Sequence, residues 1–279
     1  MKQAVSQTPA LGTYAPPPLT AALLALSRNT PLGRGGARKL LGRAIASMTG
    51  EAPLDVSLYG LHARLYQTGN LSETKALLKP SHYSRNEFAF CRRTMPAEGG
   101  VFFDIGGNAG VFSLFVASLM RSGTLISAEP QPDMYQRLTA NFDLNPEVQA
   151  RLRIHLQQTA IGGSAPSELT LSIPDSAGQA SGRPVEGMPT LTVPMIPLLD
   201  AIIDAGVEHV DLLKIDVEGF EDAVLIPFFE TSPESLWPKA IVMEYCHASQ
   251  WETDCEAMLI KNGYSVAQRD KANVMLQRA

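Results

Sequence analysis

The chain has 279 residues, 45% of them apolar and 18% charged, enough apolar material for a sizeable core and far from a disordered composition. Its three cysteines, Cys91, Cys246 and Cys255, form no CxxC pair, which argues against a disulfide framework or a cysteine-rich zinc site and favours a reducing compartment. The net charge of −5 is unevenly divided: residues 1–50 carry +6 and no acid, the remainder −11, and an acidic body speaks against a broad phosphate-tracking surface.

The basic leader, residues 1–50, is interrupted by proline at 16–18 and by glycine at 33, 35 and 36. It is expected to be an arm, flexible or partly helical. The apolar stretch 19–26 is short and only Lys2 precedes it, so it does not resemble a signal peptide. No apolar run reaches the roughly 18 residues that span a bilayer. A cytoplasmic location is expected, with organelle import by the leader as the minor alternative, and neither membrane nor nucleic acid as partner.

Residues 51–95 read as an annex. Apolar and polar positions alternate over 54–66 around Gly60, as in a bent strand or hairpin. Residues 70–95 have helical spacing, with Ser72 and Glu73 near the start and Pro96 at the end. Residues 96–279 then repeat one theme. Strands are predicted at 101–105, 123–129, 153–158, 210–216 and 240–245, with helices at 111–121, 132–145 and 220–229 between them. Such alternation implies a mainly parallel sheet with helices on both faces. Residues 263–269 and 273–278 read as a terminal antiparallel pair. A hairpin at 168–173 and 190–196 flanks a Gly/Ser/Pro-rich loop, 174–189, a candidate lid.

The strongest signal is Asp104-Ile105-Gly106-Gly107-Asn108-Ala109-Gly110, between a strand and a helix. Glycines permit a tight turn and close ligand approach, and the helix start offers free N–H groups. The spacing fails the dinucleotide pattern G-x-G-x-x-G because position 108 is Asn, and it lacks the lysine of a P-loop. An acid at the strand end repels pyrophosphate but suits a cationic ligand, and S-adenosylmethionine carries both ammonium and sulfonium. Glu129 ends the next strand, where a carboxylate accepts ribose hydroxyls in doubly wound nucleotide folds.

Three segments in order, FFDIGGNAGVFSLFVA, ISAEPQPDMYQRLTANFDLNP and LLKIDVEGFEDAVL, resemble the FkbM family of class I S-adenosylmethionine-dependent methyltransferases. The resemblance covers roughly residues 54–279. It implies a Rossmann-like seven-stranded sheet with a terminal antiparallel strand, and methyl transfer to a hydroxyl of a sugar or other natural product. It also implies that Asp104, Gly106, Gly107, Asn108 and Gly110 hold the methionine end. Glu129 and Pro130 would meet the ribose, and Thr159, Ala160 and Ile161 the adenine edge. Gln158 stands where many methyltransferases place an acid.

The fourth strand carries Lys214 and Asp216 on one side, with Glu218 in the turn at its carboxyl end. Asp216 is expected to line the donor pocket and to assist catalysis, and Glu218 to position or deprotonate the acceptor. The plain alternative is that Glu218 caps a helix. Beyond the fifth strand, His247 is a general-base candidate because imidazole titrates near neutral pH, and Glu244 has similar standing. Tyr83 and Glu87 fall where the family's upstream segment approaches the cofactor. His62, His82, His155 and His209 lack motif context. Asp216, Glu218 and Glu244 are oxygen ligands of the kind Mg²⁺ takes, yet no metal is expected. The partner is a small acceptor, a sugar or secondary metabolite. Rival readings are a methyltransferase-like scaffold without catalysis and an NAD(P)-dependent oxidoreductase.

Overall fold

The computed structural model describes residues 8–173, 180–183 and 185–278. Two leader helices, α1 (Pro18–Asn29) and α2 (Gly35–Thr49), precede a hairpin of β1 (Leu54–Leu58) and β2 (Leu61–Leu65). Helices α3 (Leu71–Leu78) and α4 (Arg85–Thr94) complete the N-terminal part. Then follow β3 (Gly100–Ile105), α5 (Val111–Leu119), β4 (Gly123–Ala128), α6 (Pro132–Asp143), α7 (Pro146–Arg151) and β5 (Leu152–Gln157). An insert of β6 (Ala160–Ile161), β7 (Ser167–Ser172) and β8 (Thr190–Ile196) leads into α8 (Leu198–Asp204). The chain ends with β9 (Leu212–Ile215), α9 (Glu221–Thr231), β10 (Ala240–Glu244), α10 (Cys255–Lys261), β11 (Tyr264–Arg269) and β12 (Asn273–Arg278).

Seven strands form one sheet in the order β11-β12-β10-β9-β3-β4-β5. Strands β3, β4, β5, β9 and β10 run parallel, while β12 is antiparallel to both its neighbours. The last strand of the chain therefore lies one place in from the edge, with β11 outside it. Connections from β3 run outward to β4 and β5, then return across β3 to β9. This reversal leaves a crevice at the carboxyl ends of β3 and β9, the place where open α/β sheets bind ligands.

Both faces of the sheet are covered because its strands are apolar on both sides. Phe102 and Phe103 are fully buried in separate cores, one beneath α4, α5 and α6, the other beneath α8, α9 and α10. Burying such a side chain contributes about 2 kcal/mol. No helix among the described residues is long and apolar enough to cross a membrane.

Two local readings are corrected. The single helix expected over 70–95 is two helices, because Pro80 has no N–H to donate and its ring obstructs the preceding turn. The strand expected at 210–216 is ordered as a strand only from Leu212 to Ile215. The stretch 54–66 is a tight hairpin: Tyr59 and Gly60 have φ of 55° and 84°, the twist a two-residue turn needs.

From residue 8 on, the leader is partly helical and tied down. Ser27 Oγ donates to Leu78 O, Arg28 Nε to Leu77 O, and Lys79 Nζ to Arg28 O and Thr30 O, so two helix carboxyl ends meet over basic side chains. Further on, a buried Asp55–Arg64 pair at 2.7 Å also accepts the N–H groups of Gly12 and Tyr14. The hairpin in turn reaches α6, where Asn141 and Asn145 accept the Arg64 and His62 N–H groups.

Candidate active site

A cavity of about 240 Å³ opens at the carboxyl ends of β3 and β9. Its floor is the turn after β3. Gly106 has φ 79°, and a Cβ there would lie 2.0 Å from Asp216 O; a Cβ on Gly107 would lie 2.2 Å from Ser127 Oγ. Only glycine fits at these two places. Gly110, also at positive φ, starts α5 and does not line the cavity.

Glu129 lies on one wall, 4% exposed. Its Oε2 accepts the Asn108 N–H at 2.8 Å and its Oε1 the Gln131 N–H at 2.9 Å, which aims the carboxylate across the glycine turn. Burial, opposed by those two donors, pushes Glu129 up to about 7. Pro130, Thr159, Ala160 and Ile161 continue this wall, with apolar Leu169 and Phe220 nearby. The Thr159 hydroxyl is committed to Pro194 O at 2.9 Å. Gln158 is exposed and outside the lining.

Asp104 is fully buried and does not line the cavity. Parallel register places it opposite Lys214, whose Nζ lies 3.2 Å from its Oδ1, and Ser113 Oγ donates to Oδ2 at 2.6 Å. The cation this acid meets is thus the protein's own. Burial disfavours the Lys214 ammonium, but Asp104 and Asp216 outweigh it and hold its pKa above the ordinary lysine value. Lys214 also donates to Gly106 O at 2.8 Å, clamping the glycine turn.

At the carboxyl ends of β9 and β10, carboxylate oxygens of Asp216, Glu218 and Glu244 lie within 4.8 Å of one another. All three residues line the cavity. Burial, then the negative charges of Asp216 and Glu221, push Glu218 up to about 7. Burial with Asp216 and Glu218 pushes Glu244 up to about 9. His247 stands behind this group: its Nε2 is 3.1 Å from Glu218 Oε2, and it is outside the lining. Glu218 does not cap α9. That helix begins at Glu221, whose buried Oε1 accepts the Val217 N–H at 3.0 Å and whose Oε2 accepts from Trp251 Nε1.

Several contributors escape a strand-end motif search. Tyr83 lines the cavity, whereas Glu87 turns away to Asn273. Asn70 caps α3 and donates to Asn108 Oδ1 at 2.6 Å, joining the annex to the glycine turn. Its Asn-x-Ser-Glu context is a helix-start signal legible in the sequence. Lys75, Gln131 and Phe220 also line the cavity; Gln131 and Phe220 lie within the segments that carry the family resemblance, and no motif marks Lys75. Of the candidate lid, residues 174–179 and 184 lie outside the described residues. Ala180 and Gly182 line the cavity, Ser181 Oγ donates to Glu218 O at 2.8 Å, and Arg183 Nε donates to Gly219 O.

The family described as the methyltransferase FkbM domain matches residues 104–266, more than half of the chain. A curated relative, "Methyltransferase sdnD" of Sordaria araneosa, is 26% identical over 196 residues, 61% of this chain and 74% of that protein. Among solved structures, a methyltransferase FkbM from Methylobacillus flagellatus KT is 14% identical with a TM-score of 0.42, covering 86% of this chain and 58% of that one. A methyltransferase from Geobacter sulfurreducens is 13% identical with a TM-score of 0.41, covering 70% and 77%.

A Rossmann-like sheet with a glycine turn and a strand-end acid defines a nucleotide-type site. This chain belongs to the FkbM family of S-adenosylmethionine-dependent methyltransferases. The residues present fit that cofactor: the buried Glu129 carboxylate has the chemistry to accept from a diol, and the Asp216 carboxylate beside the glycine turn suits a cation. The family sets aside a nicotinamide-dependent oxidoreductase.

Proposed function

We propose that the enzyme methylates a hydroxyl oxygen of a sugar or other small natural product. One observation carries this reading: a single cavity runs from the glycine turn and Glu129 to the carboxylates of Asp216, Glu218 and Glu244. When bound, S-adenosylmethionine supplies an activated methyl group, so alignment and exclusion of water are the protein's main tasks. On this reading Gly106, Gly107 and Asn108 hold the methionine end, with Asp216 facing its positive charge. Glu129 and Pro130 meet the ribose, and Thr159 with Ala160 the adenine edge. Asp104 and Gly110 act indirectly, by fixing Lys214 and the start of α5.

Glu218 takes the proton of the acceptor hydroxyl, since a carboxylate near pH 7 suits general-base work at neutral pH. His247 orients Glu218 through its 3.1 Å contact and offers the proton a route to solvent. Glu244, protonated at neutral pH, offers a hydrogen-bond donor beside it. We assign this chemistry to residues 96–279, with 51–95 as an annex at the mouth and 1–50 as a leader whose described part, from residue 8, packs on the annex. The three free cysteines support a cytoplasmic location.

Incubation with radiolabelled S-adenosylmethionine, a panel of hydroxylated sugars and host extract tests the reading. A labelled methyl ether, identified by mass spectrometry, is the expected product. Label on nitrogen or carbon, or cofactor binding with no transfer to any component, would overturn it.

A further inference from the structure

The geometry points to Lys75, on helix α3, as the counter-ion of the α-carboxylate of S-adenosylmethionine, so that the annex completes the donor site. The inference rests on the proposed placement of the methionine end at the glycine turn and is independent of the acceptor.

The amino-acid end of the donor carries an ammonium and a carboxylate, and the carboxylate needs N–H donors and positive charge. The glycine turn does not supply them. The Gly106 and Gly107 N–H groups both go to Ala128 O at 3.0 Å, and the Asn108 N–H goes to Glu129 Oε2. The Ala109 N–H goes to Asn108 Oδ1 at 2.7 Å and the Gly110 N–H to Gly107 O at 2.9 Å. The N–H groups of residues 106–110 are thus spent inside the protein, and the turn gives the donor room rather than hydrogen bonds. Val111 and Phe112, at the start of α5, also line the cavity, but a helix N-terminus carries only about half a positive charge.

The charged side chains of the cavity wall narrow the choice. Glu129, Asp216, Glu218 and Glu244 are acids, and the cations among the described lining residues are Lys75 and Lys214. An ammonium has three N–H donors. Lys214 directs them to Gly106 O at 2.8 Å, Asp104 at 3.2 Å and Asp216 at 3.5 Å, so its charge already balances two carboxylates. Lys75 is exposed on the wall, with no ion pair among the described residues. Its helix is fixed to the glycine turn. Asn70 caps α3 by accepting the Ser72 and Glu73 N–H groups, and its Nδ2 donates to Asn108 Oδ1 at 2.6 Å. Leu71 and Ser72, four and three residues before Lys75, are its neighbours on the helix surface, and all three line the cavity. Helical side chains lean toward the N-terminus, here toward the joint with Asn108. A place in the last turn of α3 also complements the helix dipole, yet the dipole does not set which face the cation takes. The donor zwitterion is therefore oriented by complementary charge: its cationic groups toward Asp216, its carboxylate toward Lys75.

Two probes separate the ends of the donor: S-adenosylhomocysteine, and methylthioadenosine, which lacks the amino-acid end. Each is titrated calorimetrically into the parent, Lys75→Gln and Lys75→Arg. Lys75→Gln should bind S-adenosylhomocysteine about tenfold more weakly, the loss of one charge-assisted hydrogen bond. Its affinity for methylthioadenosine should stay at the parent's value, which also reports that it folds. Lys75→Arg should keep most of the affinity for S-adenosylhomocysteine, and the parent's preference for that ligand should shrink as salt rises. Equal S-adenosylhomocysteine affinity in parent and Lys75→Gln, or an equal loss for both ligands, would overturn the role of Lys75 and leave the methionine end at the glycine turn. A parent that binds S-adenosylhomocysteine no more tightly than methylthioadenosine would overturn that placement as well.

Discussion

Glu218 holds a φ of 54°, a left-handed conformation that costs a substituted residue about 1–2 kcal/mol. Its carbonyl is held by Ser181 and its carboxylate by His247, so neighbouring groups sustain the strained turn. Strain at a cavity wall exchanges stability for a placed side chain. Glu218→Gly should therefore raise the unfolding free energy by about 1 kcal/mol while removing turnover, as chemical denaturation and a methyl-transfer assay would show. Glu218→Gln should keep cofactor affinity and lower kcat by about 10²–10⁴. In the parent, kcat should rise with pH through about 7, where Glu218 ionises, and the Gln variant should lose that limb. A retained limb would move the base elsewhere. Asp104→Asn leaves the Lys214 ammonium without its buried partner, a loss of about 3–5 kcal/mol by analogy with other broken buried pairs. Calorimetric melting checks it.

At the scale of elements, the site is a junction of β3, β9, the insert and the annex. The β7–β8 insert reaches the turn after β9 through Arg183, which donates to Gly219 O, pairs with Asp222 at 2.6 Å and lies over the Phe220 ring. Asp222 is buried, so Arg183→Ala strands a carboxylate as well as freeing the insert. The expected outcome is a fall in kcat with little change in cofactor affinity, and faster proteolysis within the insert. The element pattern was legible wherever apolar runs were long. The VFFDI and AIVME strands and the glycine turn follow from periodicity and spacing alone. The break at Pro80 was legible too, since proline cannot continue a helix, yet the helical spacing on either side masks it. The short strand β6 was not legible: two residues carry no period, and only pairing with β8 makes them a strand.

Over the whole molecule, burial raises several carboxyl groups above their unfolded range, among them Glu129 and Glu218, pushed up to about 7, and Glu244, pushed up to about 9. In an unfolded chain a glutamate titrates near ~4.3. Between that value and about 9 the folded cofactor-free protein binds more protons than the unfolded chain, so its stability falls as pH rises through this window. Melting temperature should accordingly be higher at pH 6 than at pH 8.5, and Glu244→Gln should flatten the upper part of the curve. A melting temperature that rises over this range would show that these groups are not buried in solution.

The residues of the chain by themselves determined the alternating α/β architecture, the glycine turn, the acid at the end of the second strand and the uneven charge of leader and body. Each is written in local spacing or composition, and local propensity acts over a few residues. Tertiary structure alone decided what the acids do. Asp104 and Glu129 are both strand-end carboxylates, but register sets a lysine against the first and opens a cavity before the second. Glu218 and Glu221 stand three residues apart; one lines the cavity and the other is consumed by the turn. The acid-free leader is seated against the end of α3 by Ser27, Arg28 and Lys79, partners some 50 residues apart in the chain. Charge and role depend on which groups meet across 50 to 180 residues of chain, and such meetings are a property of packing, which no local pattern encodes.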